Sequence, residues 1–98
     1  MKHRYHVLAG RELLAATAFY EGQREGLGAD FLDEIDKGIE VILQAPDRWP
    51  EMEPGLRKYR INRFPYALLY HRREADLIEI LVVLDLRRDP GYWRDRLG

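Results

Sequence analysis

The sequence predicts a two-layer α+β domain, with a pair of helices covering one face of a mostly antiparallel sheet. Three observations point there. Apolar residues up to Leu43 recur at helical spacing, those after Gly55 alternate with polar ones or run together, and a segment holding three prolines separates the two patterns. At 98 residues the chain suffices for one modest core, so residues 1–98 are expected to form a single domain.

Taken in order, Tyr5 to Ala9 is short and partly apolar, and predicts a first strand that Gly10 interrupts. From Arg11 and Glu12, the residues Leu13, Ala16 and Tyr20, with Leu14 and Ala18 beside them, trace an apolar stripe on a helix reaching about Gln23. Gly26 and Gly28 allow a tight turn. Phe31, Ile35, Ile39, Ile42 and Leu43 mark a second helix, with Asp33, Glu34, Asp36 and Glu40 on its other faces. Pro46 ends it, because proline has no amide hydrogen and restricts Ala45 before it. Pro46 to Gly55, including Trp49, is expected to be a plain connection. Tyr59 and Ile61 then alternate with Lys58, Arg60 and Asn62 in a half-buried strand that ends near Arg63, and Pro65 breaks it. Tyr66 to Arg72 forms the next strand, Arg73 to Asp76 the hairpin turn, and Leu77 to Leu86 the last strand. Ile78 to Leu84 is nearly all apolar, which places this strand inside the sheet. The predicted order is strand, helix, helix, three-stranded meander and a short C-terminal tail.

The chain has no cysteine, which excludes disulfides, thiolate nucleophiles and sulfur-ligated zinc. No apolar run approaches the roughly 20 residues that span a bilayer, and the first ten residues lack a secretory pattern, so the expected place is the cytoplasm. Net charge is -1, but it is unevenly spread: through Gly55 there are 6 Lys/Arg against 11 Asp/Glu, and beyond it 10 against 6. A basic second half can face phosphate or an acidic partner, or can be an ordinary solvated surface.

Several strings in this order resemble the RelE/ParE superfamily of toxins from type II toxin-antitoxin systems, which includes plasmid stabilisation proteins. They are Ala18-Phe19-Tyr20-Glu21, Gly26-Leu27-Gly28-Ala29-Asp30-Phe31, Pro46-Asp47-Arg48-Trp49-Pro50, the run from Arg57 to Tyr66, and the run from Val82 through Arg87-Arg88-Asp89-Pro90-Gly91-Tyr92-Trp93. The resemblance spans nearly the whole chain. It implies a growth-inhibiting protein neutralised by a cognate antitoxin, needing no cofactor and no metal. The superfamily has two modes of action, inhibition of DNA gyrase by binding and cleavage of mRNA on the ribosome. A third reading is an inactive toxin fold that only binds its partner.

For cleavage, the resemblance marks Arg63 and Arg88 as phosphate ligands and Tyr92 as the C-terminal aromatic that donates a proton or stacks on a base. For binding, Arg57, Arg60, Arg87, Arg88 and Trp93 are the expected contacts, with an acidic or apolar antitoxin segment near them. Each has a plainer reading. Paired arginines at a strand end form a solvated rim, Tyr92 and Trp93 fold the tail onto the sheet, Tyr20 and Trp49 belong to the core, and His3, His6 and His71 carry no ligand spacing. Two features lean towards gyrase binding over RNA cleavage. Ribosome-directed members are strongly basic, whereas this chain is not, and Asp85 stands where a basic residue is common and would repel a phosphate unless it serves as the base.

Overall fold

The computed structural model describes residues 1–89 and 91–97, with Leu97 described as backbone only; Pro90, within the C-terminal run that carries the resemblance, and Gly98 lie outside the described residues. Strand β1 (Lys2–Tyr5) leads into helices α1 (Val7–Gln23) and α2 (Leu27–Gln44), then come β2 (Glu51–Glu53), β3 (Leu56–Arg60), β4 (Tyr66–Glu74) and β5 (Leu77–Asp85), and a 3-10 turn at Arg94–Leu97. The sheet order is β1-β5-β4-β3-β2, with β1 parallel to β5 and every other pair antiparallel. No described helix is long and apolar enough to cross a membrane.

The beginning of the chain differs from the sequence expectation. The first strand is Lys2–Tyr5, not Tyr5 to Ala9, and Gly10 lies inside α1. His6 caps the helix: its Nδ1 accepts the Leu8 N–H at 3.1 Å, and the Gly10 N–H donates to the His6 carbonyl at 2.9 Å. Lys2, His3 and Arg4 have no strand-like hydrophobicity; parallel pairing with Leu77 to Glu79 makes them a strand.

Gly26, at φ 88°, makes the turn between the helices, while Gly28 already belongs to α2. A Cβ on Gly28 would stand 2.9 Å from the Thr17 carbonyl oxygen, so the missing side chain lets α1 and α2 touch. The Glu21 carboxylate accepts the Gly26 and Gly28 N–H groups, each at 3.0 Å, and supplies negative charge at the start of α2. That helix ends just before Pro46, as the sequence predicts. The connection that follows is not plain, because Glu51–Glu53 pairs with β3 and makes the meander four-stranded.

α1 and α2 cover one face. Phe31, Ile35, Ile39 and Ile42 of α2 meet Ala9, Ala16 and Tyr20 of α1 over Tyr66, Leu68, Tyr70, Ile78, Ile80 and Val83 of the sheet. The opposite face has its own apolar cluster, in which Trp93 of the tail covers Leu56, Ala67, Leu69, Leu81, Val82 and Leu84. β5 is interior, flanked by β1 and β4, which accounts for its continuous apolar run. The register slips there: Leu69 is opposite Val82 and Tyr70 is opposite Ile80, leaving Leu81 extra. Leu81 and Val82 therefore point to the same face, the alternation changes phase, and Val83 and Asp85 come to lie on the helical side.

Candidate functional site

The phase change decides the chemistry at the end of β5. Asp85 stands opposite Tyr66 and next to Arg87, whose Nε and Nη2 donate to its two oxygens at 2.9 and 3.1 Å. The Arg87 backbone N–H adds a third bond at 2.9 Å. Burial works against a charged carboxyl at Asp85, but these bonds and the positive charge of Arg87 outweigh it and hold the group below its ordinary pKa. The same pairing raises the Arg87 pKa. The carboxylate that would have repelled a phosphate is thus matched, and Arg87 is committed to it. The guanidinium also lies 5.8 Å from the Phe19 ring centroid and 5.9 Å from that of Tyr66.

Arg88 and Tyr92 are brought together, the guanidinium lying 3.8 Å above the ring centroid. Arg88 has no carboxylate within salt-bridge distance among the described residues. The Tyr92 hydroxyl is buried without a hydrogen-bond partner there, and burial raises its pKa, so it stays protonated near neutrality. Between α1 and this strand end lies a hollow of about 300 Å³, lined by Ala15, Ala16 and Phe19 on one side and by Val83, Asp85, Arg88 and Tyr92 on the other. A second hollow of about 450 Å³ opens on the opposite face between Met52, Lys58, Leu84, Arg88 and Arg94, so Arg88 borders both.

The remaining candidates are scattered. Arg63, at φ 72° in the turn after β3, reaches Asp30 at 3.4 Å and stacks on Phe64. Arg57 is half-buried and structural in its contacts, with Nη1 donating to the Trp49 carbonyl at 2.6 Å and Nη2 3.4 Å from Glu51. Arg60 is exposed at the end of β3, on the same face as Lys58. Trp93 is 3% exposed and serves as the lid of the second apolar cluster, so its indole is spent on packing. His71 binds the buried Glu79 at 2.8 Å, with Arg4 and Arg73 on the same carboxylate, away from the β5 end.

Two residues that sequence reasoning missed complete the site. Glu12 on α1 and Arg96 in the tail form a bidentate pair at 2.9 and 2.7 Å, and Glu12 also accepts the Val83 N–H at 3.0 Å. Nothing in the sequence signals this, since the partners are 84 residues apart. Phe19, which the sequence marks only as part of the Ala18-Phe19-Tyr20-Glu21 string, is 48% exposed and lines the hollow.

Asp85, Arg87, Arg88 and Tyr92 thus meet at the end of β5, around a hollow walled on its other side by Ala15, Ala16 and Phe19. The sequence from residue 4 to 90 matches the family described as the ParE toxin of the type II toxin-antitoxin system parDE. The chain belongs to that family, and is the toxin component of a type II system, whose other half is a cognate antitoxin. Among solved structures, a chain described as the chromosomal ParDE system from P. aeruginosa matches with a TM-score of 0.75 at 18% identity. The match covers 88% of this chain and 96% of that one, and bears on the fold. No curated protein sequence matches.

Proposed function

We propose that this toxin acts in the cytoplasm by binding DNA gyrase and blocking supercoiling, and that it does so without cutting RNA. The observation that supports this reading is how the side chains needed for cleavage are used. Arg63 is paired with Asp30, Arg87 with Asp85, and the Tyr92 hydroxyl is buried, so Arg88 alone of the three arginines offers its charge at the β5 end. A surface suffices for inhibition by binding, whereas strand cleavage through the ribose 2′-hydroxyl requires a base, an acid and convergent cations. The ParE description of the family points the same way.

The test is a supercoiling assay with purified toxin and gyrase, run beside mRNA mapping in cells induced for the toxin. Inhibition at roughly micromolar toxin with intact mRNA is expected. Uninhibited gyrase together with messages cut inside codons would transfer the assignment to ribosome-dependent cleavage. Harmless expression without the antitoxin would leave the third reading, an inactive fold.

A further inference from the structure

The hollow of about 450 Å³ lies on the face of the sheet away from the helices, between β2, β3 and the end of β5. Its floor is apolar. Leu84 and Trp93 belong to the second apolar cluster, Leu86 packs against that cluster, and Met52 lines the hollow while 44% exposed. Met52 interrupts a strand that is otherwise glutamate, Glu51 and Glu53, and its side chain is left half in water although the cluster lies beside it.

The surroundings of that floor are cationic. Lys58 stands opposite Leu69, which puts its side chain on this face, and Arg60, opposite Ala67, takes the same face two residues on. Neither has a carboxylate within salt-bridge distance among the described residues, and Arg88 across the hollow has none either. The carboxylates nearby are already matched, Glu53 by Arg94 at 3.0 Å and Asp85 by Arg87. On the other layer, α2 exposes Asp33, Asp36 and Glu40, so the net charge of -1 divides into an acidic helical side and a basic open face. Unmatched cations around an apolar floor fit an acidic protein segment that carries a large apolar side chain. A DNA duplex would meet the same cations with its phosphates but would leave the hollow unfilled.

We propose that this hollow is where the toxin grips gyrase. An apolar side chain of the enzyme enters over Met52, Leu84 and Leu86, and carboxylates beside it meet Lys58, Arg60 and Arg88. The proposal rests on the gyrase target given above, and it puts the contact on the face away from α1.

Two single variants test it, each read on protein whose melting temperature matches that of the unmodified toxin. Lys58→Glu reverses an unmatched charge beside the hollow, and Met52→Glu sets a carboxylate at its side. Each is expected to raise the toxin concentration that half-inhibits supercoiling by about tenfold or more, and to weaken binding to purified gyrase without DNA to the same extent. Affinity for the antitoxin is expected to stay within about twofold, and Lys37→Glu, exposed on α2, to leave inhibition unchanged. Full inhibition by both variants overturns the proposal and leaves the gyrase target standing. So does a loss of antitoxin affinity equal to the loss for gyrase, which gives the hollow to the antitoxin, and so does a loss of duplex DNA binding with gyrase binding intact, which gives it to nucleic acid. No inhibition by the unmodified toxin overturns both.

Discussion

Asp85 and its two arginine neighbours share one strand end but do different work. Arg87 is consumed by a bidentate bond to Asp85, and Arg88 leans on Tyr92 with its charge unmatched among the described residues. Arg88→Ala is therefore expected to leave the melting temperature nearly unchanged while reducing affinity for an acidic partner by about 1–2 kcal/mol, measured by calorimetric titration with the antitoxin. Asp85→Asn does the opposite to the local field. It frees Arg87, and the association rate with an acidic partner should rise at low salt and lose that gain as salt is added. Its cost to stability should be about 1 kcal/mol, because Arg87 is half exposed and the pair is screened. An association rate insensitive to both substitution and salt would show that this strand end is not where charged partners land.

At the scale of elements, the contact between the helices hinges on a single missing side chain. Gly28→Ala gains helix propensity but drives a methyl group into the Thr17 carbonyl and the Glu21 carboxylate, both 2.9 Å from the ideal position. Overpacking of this kind costs about 1–3 kcal/mol, and a clear fall in the melting temperature is expected. The tail is a second such hinge. Glu12→Gln removes the charge that holds Arg96, so limited proteolysis should cut the 3-10 turn faster while the helical circular dichroism persists. Its anchoring also explains why Trp93, expected at a binding surface, is found inside the second apolar cluster.

For the whole molecule, stability should be confined between an acid and an alkaline limit. Glu79 is buried beneath His71, Arg4 and Arg73, whose hydrogen bonds and charges outweigh its burial, and its pKa is depressed from the ordinary 4.5; that of Asp85 is depressed from 3.8. Both groups stabilise the fold fully above those ordinary values, and the contribution is lost as the pH falls through the lower folded values. Burial raises the Tyr5 and Tyr70 hydroxyls from 10.0 to about 12, so their contribution is complete below pH 10.0 and is lost as the pH rises towards 12. Urea unfolding midpoints should thus be level near neutrality and fall at both extremes. A Glu79→Gln variant should lose part of the acid-side slope, and an unchanged slope would remove Glu79 from the account.

The sequence by itself determined the class of the fold, its second helix, the β4–β5 hairpin and the family, because these rest on local periodicity, on proline and glycine, and on strings of adjacent residues. Even there it places the first strand at Tyr5 to Ala9 in place of Lys2–Tyr5 and reads Glu51–Glu53 as connection, since Lys2 to Arg4 and Glu51–Glu53 are largely polar segments recruited by pairing with residues elsewhere in the chain. The candidate site was legible as a list of residues but not as an arrangement. A bulge inside an unbroken apolar run leaves no mark in residue type, yet it sets which face Asp85 takes. Likewise, Glu12 and Arg96 meet only after helix, sheet and tail have packed. Tertiary structure alone decided that Arg87 is paired, that Trp93 is buried and that a hollow opens beside Lys58, because each depends on contacts between segments that the chain keeps far apart.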